Sequence, residues 1–347
     1  MRSFDPKRLA GMTIPMGVSW QLGTVMECKG RQELYEKQSP EILRTLRELA
    51  IVESTESSNR IEGVTVEPGR LRPLVVGRAR PRDRSEQEII GYRNGLNWIH
   101  TEPDAISVSP EMIQRMHAIA QAGAGDAGQW KARDNEIIEV LPDGRRIVRF
   151  RPVSAQETPA GIEQLCLGYR HVTDQDLLPP LLAVANFEFD FLCIHPFRDG
   201  NGRVSRLLTL LLLYHHGFRV GRYISLERLV EDSKESYYDV LKRSSEGWHE
   251  GQHDLVPWWA YFLGIVRSGY REFEERVGAV RAPRGAKTET VRRAILAFPG
   301  EFSISDVERA CPGVSRDMIR LVLRALQTEK RIVCLGRGRA ARWRRMG

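Results

Sequence analysis

Apolar residues recur at three- and four-residue steps in seven stretches: residues 40–52, 85–98, 110–120, 180–192, 203–216, 226–245 and 255–277. That spacing lays an apolar stripe along one face of a helix, so the body of the chain is predicted to be mainly α. Pro40, Pro110 and Pro180 open three of these stretches, where a first helical turn tolerates a residue without an N–H. One segment breaks the pattern. Residues 137–151, IIEVLPDGRRIVRFR, form two short strand-like runs around Pro142-Asp143-Gly144, which predicts a β-hairpin. Residues 281–287, RAPRGAK, have no periodicity and read as a linker. Beyond it the spacing predicts helices over 289–298, 303–310 and 315–328, with Ser303 or Ser305 capping the second and Gly313-Val314 turning into the third. Residues 331–342 read as two short strands around Gly336 and Gly338. Helices followed by a basic hairpin are the pattern of a small winged-helix-like domain. The first forty residues offer no usable motif, and there is no internal repeat.

Composition adds bounds. The 347 residues, 41% hydrophobic and 28% charged, suit a globular protein of two or three domains with an ordinary core. Five cysteines, Cys28, Cys166, Cys193, Cys311 and Cys334, are scattered without a CxxC pair. A reducing, cytoplasmic setting without structural zinc is therefore expected. The opening MRSFDPKRLAGM has no apolar run, so no secretory leader is expected. The longest apolar run, near residues 207–213, is too short for a membrane span. Charge is uneven. Residues 281–347 carry 16 basic and 6 acidic side chains, against 36 and 39 in the remainder. That asymmetry points to an anionic partner for the C-terminal module, DNA first, with Arg316, Arg320, Arg337, Arg339 and Arg342 as its candidate contacts. A protein-docking role fits the same fold equally well.

The chemistry concentrates in residues 195–206, HPFRDGNGRVSR. Gly200-Asn201-Gly202 lets a ligand approach the main chain, and the apolar run that follows makes this loop a helix N-terminus. Backbone N–H groups and the helix dipole there favour an anion. Arg203 and Arg206, three residues apart, are neighbours on that helix and suit a polyphosphate. Asp199 offers a hard oxygen to Mg2+, and His195 can accept a proton near neutral pH. Each part alone is ordinary turn or packing chemistry. Together they read as a phosphoryl- or nucleotidyl-transfer site.

This segment resembles the signature of the Fic family, HPFx[D/E]GNGRxxR, at every defined position. Weaker likenesses extend it. Residues 91–96, GYRNGL, are similar to the family's NYRxAL, and Gly128-Gln129-Trp130-Lys131 is similar to the segment leading into its hairpin, called the flap. Lys131 stands where an Arg is usual, and Arg151-Pro152-Val153 departs from the usual Pro-Pro run. The resemblance covers about residues 40–275. It implies an N-terminal helical region over 1–105 and a Fic core over 106–280 with the flap at 137–151, ahead of the linker at 281–287 and the winged-helix-like domain at 288–347 that the residue pattern predicts. It implies AMP transfer from ATP, with Mg2+, to a Tyr, Thr or Ser hydroxyl of a target protein, self-modification included. His195 would be the base and Asp199 the Mg2+ ligand. Gly200, Asn201 and Gly202 would cradle the phosphates, with Arg203 on the α/β groups and Arg206 on the γ group. Phe197 would anchor the core, and Tyr237 would flank the adenine. Ile137 and Ile138 of the flap would align the target strand.

Ser58-Asn59-Arg60-Ile61-Glu62-Gly63 is similar to the family's inhibitory motif, [S/T]xxxE[G/N]. The resemblance implies a helix over about 46–63 whose Glu62 pairs with Arg206 and displaces the γ-phosphate, so that in-line attack is lost. Relatives with a brake in cis often form homodimers. Two other functions remain open: removal of AMP at the same site, and a DNA-binding regulator that only senses nucleotide. Among the other histidines, His249 and His253 in GWHEGQHD have a metal-like look that Gly251 undercuts, because it breaks the helix such a pair needs.

Overall fold

The computed structural model describes residues 2–38, 40–140, 143–280, 286–298, 300–336 and 341–346. It divides into two compact units. One holds the chain up to Leu34 together with Leu46–Tyr270; the other holds Tyr35–Thr45 and the chain from Arg271 onward.

The first unit is helical. Its elements begin with α1 (Pro6–Ala10), α2 (Met16–Gln38), α3 (Pro40–Ile61), α4 (Pro68–Val75), α5 (Arg84–Thr101) and α6 (Pro110–Ala120). The hairpin β1 (Ile137–Val140) and β2 (Arg146–Phe150) follows, then α7 (Thr158–Asp174), α8 (Pro180–Ile194) and α9 (Asn201–His215). The series continues with α10 (Leu226–Asp232), α11 (Lys234–Ser245) and α12 (Val256–Val280), of which α2, α3 and α12 run on into the second unit. Short polar side chains start several of these helices. Asp83 accepts from the N–H of Glu86, Ser109 from Met112 and Ser225 from Arg228, each satisfying a first-turn donor.

Helix α8 lies at the centre, buried on all sides, with α9 antiparallel beside it and α5, α6 and α7 packed around the pair. Its polar residues are satisfied from afar. Asp190 accepts from the Ser3 hydroxyl at 2.6 Å and the Trp248 indole at 2.7 Å, and Asn186 accepts from the Trp259 indole at 2.7 Å. Residues without a sequence motif, Ser3 among them, are thereby tied into the core.

The structure departs from the periodicity in places. Helix α3 runs nine residues past the predicted end at 52, through Ser54, Thr55, Ser58 and Asn59, all buried. The Ser54 hydroxyl reaches Glu227 at 2.7 Å, and Thr55 and Asn59 bond back to carbonyls one turn earlier. Buried polar residues with partners hid a helix from a hydrophobic count. The predicted helix 226–245 is two helices, broken at Ser233, whose hydroxyl takes the Leu229 carbonyl at 2.8 Å. The apolar periodicity did not mark helices α1, α2, α4 and α7, although the first three lie within the helical region 1–105 that the family resemblance implies.

In the hairpin, Ile138 pairs with Val148, Glu139 with Ile147 and Val140 with Arg146, antiparallel. Pro142 of the predicted turn lies outside the described residues; Gly144 has φ +82°. The second unit contains α13 (Ala286–Ala297), α14 (Ile304–Ala310), α15 (Arg316–Thr328), β3 (Ile332–Cys334) and β4 (Trp343–Arg345) around Val291, Ile295, Phe302, Val307, Ile319, Leu323 and Trp343. Ser303 caps α14 in a capping box with Asp306, and Gly313 turns into α15 with φ +82°. The second strand lies after the predicted stretch 331–342, because Trp343 is the residue that buries its side chain in this core. Residues 281–285 of the predicted linker, with Arg337 and Arg339, lie outside the described residues, and residues 286–287 already belong to α13. Arg342 is exposed. Arg316 pairs with Glu308 and Arg320 with Asp317.

Candidate active site

The loop between α8 and α9 carries the motif, and both its ends have left-handed backbone. His195, closing α8, has φ +50°, and Gly200, preceding α9, has φ +77°. Gly200 adopts this at no steric cost, whereas His195 must be held there. Asn201 does part of that work: its Oδ1 accepts from the Phe197 N–H at 2.9 Å and its Nδ2 donates to the Phe197 carbonyl at 2.8 Å. Phe197 is fully buried, stacked on His117 at 3.7 Å with planes 2° apart, and on Trp130 at 5.0 Å. His117 accepts the Gly128 N–H through Nδ1 and bonds the Asp199 carbonyl through Nε2 at 3.1 Å. The loop is thus braced from behind, leaving the first-turn N–H groups of α9 without helical acceptors.

Both arginines of the motif are buried cations. Arg203 is 1% exposed; its Nη1 donates to Glu88 Oε2 at 2.6 Å and its Nη2 lies 3.6 Å from Asp199 Oδ1. Arg206 is 5% exposed; its Nε donates to the Ser58 hydroxyl at 2.8 Å, and its Nη2 to the Ser58 carbonyl at 2.9 Å and to Glu62 Oε1 at 2.7 Å. Burial opposes the Arg206 charge, but the Glu62 carboxylate together with Tyr92 and Tyr237 outweighs it, and the guanidinium is held more firmly protonated than usual. One nitrogen of each arginine, Arg203 Nε and Arg206 Nη1, is buried without a hydrogen-bond partner. Unmet donors at a helix N-terminus are what an incoming polyphosphate satisfies. A Cβ at Gly202 would lie 2.1 Å from Glu62 Oε1, so the Glu62 carboxylate sits directly over the loop.

His195, Glu62, Gly202, Ile137, Arg149, Phe150, Tyr237 and Tyr238 line one cavity of about 190 Å³. That is below the roughly 300–1,000 Å³ of an ordinary small-molecule site, and Glu62 is one of its walls. Burial, aided by the Lys131 ammonium, lowers the His195 pKa to about 4, so the imidazole is neutral at physiological pH. Its Nδ1 lies 3.4 Å from the Leu192 carbonyl, a contact that favours the proton on Nδ1 and leaves Nε2 as the acceptor.

Asp199 is half-exposed, with Oδ1 on the Gly200 N–H at 2.7 Å and Oδ2 3.3 Å from Arg84. One carboxylate beside an anion nest fits Mg2+, which takes few protein ligands and completes its shell with phosphate and water. No cluster of three potential metal-ligating side chains occurs among the described residues.

The expected residues converge, with two exceptions. Ile138 is 37% exposed and lies outside the cavity that Ile137 lines. Tyr237 reaches the cavity edge, yet its ring is 4% exposed and packed among Tyr238, Trp258 and Tyr261. His249 bonds the Arg151 carbonyl and His253 the Ser3 hydroxyl. Glu88, His117 and Arg149 were missed. Glu88 meets Arg203 across 115 residues of sequence, which no local pattern signals. Among the described residues no helix is long and apolar enough to cross a membrane.

Residues 107–213 match the Fic/DOC family model. The chain is similar to protein adenylyltransferase fic-1 of Caenorhabditis elegans, 28% identical over 231 residues, covering 64% of this chain and 40% of that protein. A Fido domain-containing protein of Dictyostelium discoideum is 37% identical over 75 residues, covering 22% of this chain and half of that one. The chain thus spans half or less of the length of these relatives. Among solved structures, a Fic family protein from Desulfovibrio desulfuricans superposes over 97% of this chain and 98% of its own, with TM-score 0.63 and 22% identity. A Fic domain containing signaling protein from Bacteroides thetaiotaomicron matches 72% of this chain and 94% of its own, with TM-score 0.61 and 20% identity. The loop, its motif and helices α6 to α8 lie within residues 107–213, and that segment is a Fic/DOC family domain.

Proposed function

We propose that the chain is a protein adenylyltransferase that moves AMP from ATP to a Tyr, Thr or Ser hydroxyl, and that Glu62 holds it in a weakly active state. The observation that carries the reading is the convergence of an available imidazole nitrogen, an open helix N-terminus and two buried guanidinium groups with unmet donors. The curated relative in Caenorhabditis elegans carries the name protein adenylyltransferase.

In this reading His195 Nε2 takes the proton of the target hydroxyl as its oxygen attacks the α-phosphorus, and pyrophosphate leaves. Arg203 and the loop N–H groups bind the α/β phosphates, and Arg206 binds the γ-phosphate once Glu62 has left it. Mg2+, held by Asp199, would neutralise charge on the phosphates. The edge of the flap beside Ile137 would order the target strand by main-chain bonds. Glu62 blocks the γ-phosphate seat, since its carboxylate already holds Arg206 and covers Gly202.

The test is mass spectrometry of the Glu62→Gly variant incubated with ATP, Mg2+ and cell extract. A gain of one AMP on a hydroxyl side chain, of this chain or of another protein, is expected, and it should vanish when His195→Ala is added. Phosphate transferred in place of AMP, or no transfer at all, would overturn the reading. A second reading, removal of AMP, is favoured by one observation: Glu62 shares the cavity of His195, where its carboxylate can hold a water. Release of AMP from a modified target by the wild-type chain, lost in Glu62→Gly, identifies that activity.

A further inference from the structure

The motif arginines and glycines are accounted for, but the force that holds His195 in its left-handed conformation is not. It comes largely from one loop beneath the base. The Lys131 N–H donates to the Pro196 carbonyl at 2.8 Å. The Lys131 ammonium donates to the Ile194 carbonyl at 3.1 Å and to Asn135 Oδ1 at 2.8 Å. Asn135 Nδ2 in turn reaches the Phe197 carbonyl at 3.3 Å. The carbonyls immediately before and after His195 are therefore both fastened by Lys131.

Lys131 is an unusual choice for that task. Its side chain is 4% exposed and is satisfied by two neutral oxygens instead of a carboxylate. Burying an ammonium without an ion pair costs stability, which a neutral donor in the same place would avoid. Two local features favour the charge: the Ile194 carbonyl is the C-terminal end of α8, where cations are stabilised, and Asp134 is adjacent. Burial lowers the lysine to about 8, so it remains mostly charged at neutral pH.

We propose that Lys131 is a positioning residue for the base: it locks the backbone on both sides of His195 and places a positive charge near the imidazole that opposes its protonation. The inference rests on reading His195 as the base of the transfer reaction. After burial itself, Lys131 is the strongest influence on the His195 proton affinity. The other groups facing His195 are Glu62 after α3, which raises it, Arg149 on β2, which lowers it, and Tyr237 and Tyr238 on α11, which line the same cavity. Removing the ammonium leaves burial and Arg149 opposed by Glu62, so the His195 pKa must rise.

The experiment is a carbon-13 NMR titration of the histidines in the full chain, with His195 assigned by its absence in His195→Ala. Lys131→Met should raise the His195 pKa by roughly one unit. Lys131→Arg, which keeps the charge and can reach the same carbonyls, should leave it within a few tenths of a unit. Asn135→Asp keeps Lys131 but sets a carboxylate on it, and it should also raise the His195 pKa; this variant decides the matter if Lys131→Met does not fold. In a Glu62→Gly background, the acid limb of the transfer rate should move up with the NMR value in Lys131→Met and stay in place in Lys131→Arg. An unchanged His195 pKa in folded Lys131→Met, or in Asn135→Asp, overturns the proposal. The titration needs no catalysis, so it can fail while adenylyl transfer stands, and the reverse also holds.

Discussion

In the proposed mechanism the contact between Glu62 and Arg206 holds the site closed, and its removal has a calculable effect. The pair is 2.7 Å long, with side chains 27% and 5% exposed. Fully exposed pairs contribute about 0.2–1 kcal/mol, and close pairs in desolvated interfaces couple by about 1.5–7 kcal/mol. A pair with one buried partner and one quarter-exposed partner falls between, at about 2 kcal/mol. Arg206 would keep its two bonds to Ser58 without Glu62, so the guanidinium stays in place and its freed Nη2 faces the nucleotide. The γ-phosphate competes for that same nitrogen. Releasing it should therefore raise the productively seated fraction of nucleotide by about 30-fold, since 1.4 kcal/mol is a factor of ten.

The assay is transfer of labelled AMP at saturating ATP and Mg2+, comparing wild type, Glu62→Gln and Glu62→Gly. Glu62→Gly should be faster than wild type by about 30-fold. Glu62→Gln keeps the volume over Gly202 and loses the charge, so it should fall between the two. ATP affinity should change less than the rate, because nucleotide can still bind with its α-phosphate out of line. A Glu62→Gly rate within twofold of wild type refutes the reasoning, since the carboxylate would then not be competing for Arg206.

Three other perturbations follow from particular contacts. Asn201→Ala removes both bonds that close the loop on Phe197, leaving the Phe197 N–H unmet and its carbonyl with only the Asn135 amide at 3.3 Å; thermal or urea unfolding should show a loss of about 1–3 kcal/mol, with no transfer in the Glu62→Gly background. Burial lowers His100 to about 3 and His195 to about 4. The unfolded chain protonates both below about pH 6.5 while the folded chain does not, so stability present above that pH is lost as pH falls toward 4. Glu188, raised to about 7 by burial, works in the opposite sense over this range. Urea unfolding of His100→Gln should therefore lose about 1–2 kcal/mol less than wild type between pH 7 and 5. Ser303→Ala breaks the capping box of α14; it should cost about 1 kcal/mol and speed hydrogen exchange at the start of that helix.

Legibility in the sequence followed the physical range of each interaction. The motif loop was readable because its contacts are local: Asn201 closes on Phe197 four residues back, Asp199 on the neighbouring Gly200 N–H, and α9 starts at Asn201, directly after Gly200. Helices α6, α8 and α9 were readable because their apolar faces repeat without interruption. Helix α3 was cut short for the opposite reason: its last turns bury serine, threonine and asparagine, whose partners lie on α10 or on their own backbone, and polarity there marks a polar core. The same turns carry Ser58, which holds Arg206, and lead to Glu62, so the segment least helical by hydrophobic count is the one that binds the motif's second arginine. The roles of Glu88, His117 and Lys131 were not legible for a further reason. Each acts on the loop from 63 to 115 residues away along the chain, through a side chain unremarkable where it stands. A motif names the groups that meet the substrate, whereas their rigidity and proton affinity come from residues that only the fold brings beneath them. Lys131 is the sharpest case: the sequence marked it only as a departure from the family pattern, and the fold places it where it fastens the carbonyls on both sides of His195.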